Sequence, residues 1–195
     1  ALSRAGIGVL RFDFAGTGIG GGAGEAVNFA SDVDDLRAAA KAMAEAGMPP
    51  SLLVGHSLGG AAVIVAAAEL PDVAAVATIG APADLQHILR FFGQEGLDAI
   101  AREGEASVEI AGRPFLVSRG FLDAVEGIEA EKAIASLRRP VLVMHSPLDQ
   151  VVGIDHASRI FLASRHPKSF ISLDNADHLL TDAADANYAA AMVAA

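Results

Sequence analysis

The sequence predicts an α/β fold: a mostly parallel sheet flanked by helices, in a single domain over residues 1–195. Three observations carry this. Apolar runs of strand length alternate with segments whose apolar residues recur at helical spacing, and that alternation builds a parallel sheet covered on both faces. The chain has 195 residues, 52% hydrophobic and 19% charged, enough to bury one substantial core. The residues Gly55-His56-Ser57-Leu58-Gly59 stand between a strand-like and a helix-like run, where a G-x-S-x-G turn carries structural meaning.

Taken in order, Gly8-Val9-Leu10-Arg11-Phe12-Asp13 reads as a strand, followed by a glycine-dense loop to about Gly24. Ser31 is the expected N-cap of the first helix, with Asp32, Asp34 and Asp35 facing its positive end. Val33, Leu36, Ala40 and Met43 keep helical spacing until Gly47, Pro49 and Pro50 end the run. Ser51-Leu52-Leu53-Val54 is a short buried strand, and Leu58 to Leu70 is an Ala- and Val-rich helix stopped by Pro71. Val73 to Ile79 gives the next strand, ending in Gly80-Ala81-Pro82; Pro140 to His145 and Ser169 to Leu173 give two more. Helical patterns lie near 155–164 and 181–194.

Residues 84–139 break this rhythm. They hold a helical piece (Leu85 to Phe92), an acidic helical stretch, and Ser107 to Val117, where Val108, Ile110 and Phe115 flank an Ala111-Gly112-Arg113-Pro114 turn. An insertion between core strands is where a lid or cap sits. Phe91, Phe92, Phe115 and Phe121 belong to it, out of nine Phe in the chain. They either line an apolar pocket or pack the insertion onto the core.

Composition excludes several classes. A net charge of −10 repels nucleic-acid phosphates and anionic lipid, so neither is an expected partner. No apolar run reaches the ~18 residues of a membrane span, and no charged-then-apolar signal segment opens the sequence. The absence of cysteine excludes disulfides, thiol chemistry and thiolate metal sites, and fits a cytoplasmic protein. No H-E-x-x-H or paired-histidine spacing occurs, so no metal is expected. Gly16-Thr17-Gly18-Ile19-Gly20-Gly21 matches a dinucleotide fingerprint, but the next helix starts too late to place its N-terminus on a pyrophosphate, so no cofactor is expected.

A serine on a tight strand-to-helix turn exposes its hydroxyl, and glycines at positions 55 and 59 are expected because side chains would collide there. The bland alternative is a glycine-rich turn whose serine caps the helix. Serine needs an adjacent base, itself oriented by a carboxylate. Asp149 follows the 140–145 strand and His178 the 169–173 strand, both in turns beyond carboxyl ends, where ligand sites of parallel sheets form. Asp174 is the substitute for Asp149; Asp177 is too close in sequence to His178 for head-on geometry. His56 reads as structural and pointing away from the serine's partner, His145 as a satisfied core histidine, and His87, His156 and His166 as surface residues.

With these residues in view, the chain resembles α/β-hydrolases throughout. Arg11-Phe12-Asp13-Phe14-Ala15-Gly16-Thr17-Gly18 looks like the segment that precedes the elbow in that superfamily. More closely, the chain is similar to the hydrolase domain of bacterial proteins in which an α/β-hydrolase is fused to an OsmC-like domain. The segments are Val54 to Ala62, Ala77 to Ala83, Ala111 to Phe115 and His166 to Phe170. The resemblance carries the superfamily triad onto Ser57, Asp149 and His178, with the Leu58 N–H as an oxyanion donor. It implies a serine hydrolase of short carboxylic esters or thioesters, acting through an acyl-enzyme on a small molecule; the alternative is a non-catalytic binding or scaffold module. Two departures stand out. The OsmC-like domain and its cysteines are absent. The first three strands of the fold also have no counterpart, so the sequence reads as an N-terminally truncated version lacking one oxyanion donor, a loss worth about 10²–10³ in kcat.

Overall fold

Local sequence sets the elements and parallel pairing joins them. The computed structural model describes residues 2–14, 28–110, 113–127 and 130–195. A short 3-10 turn (Leu2–Ala5) precedes α1 (Phe29–Glu45), β1 (Leu52–His56), α2 (Leu58–Ala67) and β2 (Ala75–Ile79). After a 3-10 helix (Gln86–Phe91) come α3 (Gly93–Glu103), β3 (Glu105–Ile110), β4 (Arg113–Ser118), α4 (Arg119–Gly127) and α5 (Ala130–Ser136). The chain closes with β5 (Val141–His145), α6 (Ile154–Ala163), β6 (Lys168–Ser172) and α7 (Ala183–Ala194). The glycine-dense stretch within 15–27 and the Ala111-Gly112 tip lie outside the described residues.

The main sheet is parallel, in the order β1-β2-β5-β6, as the alternation of strands and helices predicts. Strand β5 shows why its run is apolar throughout. Val141 and Val143 pack into the large core with α2 and α6, while Leu142 and Met144 face a second cluster with Leu173 and Ala189 of the α7 side. A strand buried on both faces has no solvent side to make polar. Helix α2 carries no charge from Leu58 to Ala67 and is buried nearly all round, packed between α1, α5 and the strands. Between β2 and β5 the chain makes an excursion through the 3-10 helix, α3, β3, β4, α4 and α5, in which β3 and β4 pair as an antiparallel hairpin.

Two expectations are corrected. Gly8–Asp13 is not a strand, and Val9, Leu10 and Phe12 of it stay exposed. The apolar run supplies the propensity to pair but not a neighbour, and among the described residues β1 is bonded only to β2. The first helix is capped by Asn28, whose Oδ1 accepts from the Ala30 N–H at 3.0 Å, and not by Ser31, whose hydroxyl instead donates back to the Asn28 carbonyl. Asparagine caps as well as serine, and the earlier start buries Phe29 completely.

That earlier start also buries Asp32. Among the described residues neither of its carboxylate oxygens has a hydrogen-bond partner, and burial, with the charge of Asp35 adding to it, raises its pKa from 3.8 to about 7. In the unfolded chain the group ionises near 3.8, so folding takes up a proton and stability falls as pH rises from there through about 7. Asp32→Asn, which cannot ionise, is therefore expected to gain on the wild type between pH 5 and pH 8 by about 2–3 kcal/mol. Urea unfolding of both proteins at the two pH values measures this; an equal difference at both would refute it.

Candidate active site

Strand β1 runs into α2 with a single residue between them, and that residue is Ser57. Its backbone sits at φ 52°, ψ −126°, a region non-glycine residues rarely enter and one that costs about 1–3 kcal/mol. The approach of strand to helix enforces it. A Cβ on Gly55 would lie 2.2 Å from the Gly59 carbonyl oxygen, and one on Gly60 would lie 2.5 Å from the Ala81 Cβ. Gly59 itself has room, with Phe14 Cε2 at 3.5 Å the nearest atom to its added carbon. The steric demand expected at Gly59 thus falls on Gly60, because α2 has begun by Leu58 and turns position 60 inward against the end of β2. The Ser57 N–H donates to the Ile79 carbonyl at 2.9 Å, fixing the turn to β2.

The three residues singled out from the sequence meet here. His178 Nε2 lies 2.9 Å from Ser57 Oγ, and His178 Nδ1 lies 2.7 Å from Asp149 Oδ2. Both Asp149 and His178 are buried. The Ser146-Pro147-Leu148-Asp149 turn after β5 aims the carboxylate, closed by Asp149 N–H on the Ser146 carbonyl and Leu148 N–H on Ser146 Oγ. Asp149 Oδ1 accepts the Val151 and Val152 N–H groups, both at 2.8 Å. Burial alone would raise the Asp149 pKa, but hydrogen bonds from His178, Val152 and Val151 together outweigh it and hold the carboxyl below its ordinary range. The group therefore stays an anion and an acceptor. A carboxylate oxygen only accepts, so Nδ1 of His178 donates to Oδ2 and Nε2 is the nitrogen that faces the Ser57 hydroxyl. Leu58 opens α2, so its N–H lies where a helix offers no internal acceptor.

The rivals settle elsewhere. Asp177 binds the Thr181 N–H and hydroxyl, and Asp174 is exposed. His145 is buried at the end of β5; its Nε2 donates to the Val152 carbonyl at 2.8 Å, its Nδ1 has no partner, and burial lowers its pKa. It is a core histidine, satisfied at one nitrogen only, and it anchors the Asp149 loop. His166 is exposed as expected. His156 is not: it is buried, and its Nδ1 accepts the Ala83 N–H at 3.1 Å. His87 is half-buried, with Nδ1 2.9 Å from the Asp84 carbonyl. His56 does not point away from the serine's partner; its Nε2 donates to the His178 carbonyl at 2.6 Å. Gly80 was missed altogether. It has φ +56°, and a Cβ there would lie 3.3 Å from Asp149 Oδ2 and 3.5 Å from His178 Nδ1. A glycine directly after a strand end was the available signal.

A cleft of about 420 Å³ opens over Ser57. All four phenylalanines of the excursion border it, and Phe92 and Phe121 are also buried in the core, so pocket and packing roles coincide. Leu10 to Phe14 border it from the other side. Among the described residues no three His, Asp or Glu side chains gather to hold a metal ion, and no helix is long and apolar enough to cross a membrane.

Comparison with known proteins places the chain among hydrolases. Residues 1–102 match the family described as serine aminopeptidase, S33. The esterase domain of a Rhodothermus marinus protein is 45% identical over 99% of this chain and 75% of its own, with a TM-score of 0.80. Est1E from Butyrivibrio proteoclasticus, solved with ferulic acid bound, is 20% identical over 92% of this chain and 72% of its own, with a TM-score of 0.74. A monoacylglycerol lipase from Paleococcus ferrophilus is 18% identical over 98% of this chain and 84% of its own, with a TM-score of 0.70. The last two likenesses establish the α/β-hydrolase fold alone. No curated protein matches the sequence.

The glycine contacts make a graded expectation. Gly80→Ala forces a side chain to positive φ and loses about 1–2 kcal/mol, and Gly55→Ala overpacks the elbow and loses about 1–3 kcal/mol or more. Gly59→Ala, inside a helix and with room for its methyl group, is close to neutral or stabilising. Thermal denaturation of the three variants ranks them, and a Gly59→Ala as damaging as Gly55→Ala would contradict the steric account.

Proposed function

The chain belongs to the serine aminopeptidase S33 family of α/β-hydrolases, and on that premise we propose that it is a serine esterase that cleaves short carboxylic esters or thioesters through an acyl-enzyme. The observation that carries the reading is the unbroken hydrogen-bonded chain from Asp149 through His178 to Ser57. In this mechanism Ser57 Oγ attacks the ester carbonyl as its proton passes to His178 Nε2. Asp149, held as an anion, stabilises the imidazolium that forms. The Leu58 N–H receives the charge that develops on the carbonyl oxygen. Collapse of the tetrahedral species expels the alcohol or thiol with the proton from His178, leaving an acyl group on Ser57. Water, deprotonated by the same His178, then attacks the acyl group and restores the serine.

The excursion over residues 84–139 serves as a lid whose Phe91 and Phe115 receive the acyl group, within one catalytic domain. The ester reading is favoured over peptide hydrolysis because the 45% identical relative, an esterase domain, matches nearly the whole chain, whereas the family match ends at residue 102. The acidic charge argues against nucleic acid or membrane as partner and leaves a small-molecule substrate, and the absence of cysteine fits a cytoplasmic protein.

A p-nitrophenyl ester series of graded acyl length, with an amino-acid p-nitroanilide as contrast, measures the activity. Short esters are expected to turn over and the anilide not. Ser57→Ala lowers kcat by about 10⁴–10⁶-fold without unfolding the protein, and a fluorophosphonate labels the wild type but not this variant. Failure of the wild type to label would favour the non-catalytic module; full turnover by Ser57→Ala would remove the serine from the mechanism.

A further inference from the structure

His56 is the last residue of β1 and stands immediately before Ser57. Its Nε2 donates to the main-chain carbonyl of His178 at 2.6 Å, a contact between residues 122 apart in sequence. The rings lie 5.0 Å apart, centroid to centroid. A carbonyl oxygen only accepts, so Nε2 carries hydrogen in whichever protonation state makes this bond.

The remaining contacts of His178 leave a gap that this bond fills. Asp149 and Ser57 fix the imidazole through its two nitrogens, but neither fixes the distance of its main chain from the elbow. The loop that carries His178 is held within itself, by Ala176 N–H on the Leu173 carbonyl and Leu180 N–H on the Asp177 carbonyl. His56 instead ties that loop to β1. The turn beside it has no slack, since Gly55 is in contact with the backbone of Gly59 and Ser57 is bonded to Ile79. Nucleophile and base are therefore referenced to one rigid strand end.

Building on the esterase reading, we infer that His56 is a positioning residue that holds the backbone of His178 at the distance where Nε2 meets Ser57 Oγ. It acts through the main chain of His178, so its loss falls chiefly on the rate of acyl transfer, although its ring also borders the cleft. A misplacement of about 1 Å at a reacting pair costs on the order of 10² in rate, and loss of this one tether relaxes only part of that order.

His56 is exposed on its other side, so truncating it removes little packing. His56→Ala is expected to lower kcat on a p-nitrophenyl ester by roughly 10-fold or more, with a smaller change in KM because its ring also borders the cleft. His56→Gln, whose amide N–H reaches a similar point, recovers most of the rate. A second readout needs no turnover: the low-field Nδ1–H proton of His178 in the ligand-free protein, seen by NMR, stays sharp in wild type and His56→Gln and broadens in His56→Ala. Should the alanine variant unfold, His56→Leu keeps volume without a donor and carries the same expectation. Wild-type kcat and an unchanged resonance in His56→Ala would overturn the inference, as would a glutamine variant no better than alanine. Absence of Ser57-dependent turnover in the wild type would sink the esterase reading instead, and the resonance would still decide the role of His56.

Discussion

The Gly59 carbonyl oxygen lies only 2.2 Å from where a Cβ on Gly55 would be, so strand β1 and helix α2 meet as closely as two backbones can. A chain that turns this sharply has to pass one residue through an unfavourable conformation, and Ser57 takes it. The strain is tolerated because α2 is buried almost all round and cannot shift to relieve it. Parallel register then does the rest. His56 pairs with Ile79, Ile79 with Met144, and His145 with Ser172, so every strand of the main sheet ends at one level. The loops that follow those ends deliver Ser57, Gly80, Asp149 and His178 to the same place. Brought to one edge by topology, they need only short turns to meet.

Two buried aspartates show what the surroundings decide. Asp32 and Asp149 are both hidden from solvent. Asp32 finds no donor among the described residues, and its pKa climbs to about 7. Asp149 finds the Val151 and Val152 N–H groups and His178 Nδ1, and its pKa falls below the ordinary value although burial acts to raise it too. Burial sets the cost of a charge, and directed donors decide whether the charge persists. For a group that orients a histidine and faces its imidazolium, only the second environment serves, since a protonated carboxyl would be a far weaker partner for Nδ1–H.

Legibility in the sequence divides along the same line between local and distant causes. Strand ends follow from apolar runs and their breakers, so the positions of Ser57, Asp149 and His178 beyond those ends could be read directly, as could the parallel sheet. Gly8–Asp13 has the apolar content of a strand, but a strand needs a neighbour, and composition does not say whether one is present. Ser31 and Asn28 are equally good caps on paper; burial of Phe29 chose between them. The histidines were misread for one reason. His56 bonds a carbonyl 122 residues away and His156 an N–H 73 residues away, and no local pattern encodes either partner.

Chemistry and selectivity are consequently built from different parts of the chain. Ser57, Asp149 and His178 follow the ends of β1, β5 and β6, and the bonded pairs are 121 and 29 residues apart along the chain. Moving any of them disturbs a turn at the edge of the main sheet, whose strands pack into the core. One wall of the cleft belongs to the excursion, where Phe115 and Val117 stand on a two-stranded hairpin that, among the described residues, pairs with no strand of the main sheet. Substitutions in that hairpin reshape the space above Ser57 without touching the hydrogen bonds of the triad. On the proposed mechanism such a partition lets substrate preference change while the chemistry stays, because the hydrogen-bonded residues and the hairpin share a cleft but not a scaffold.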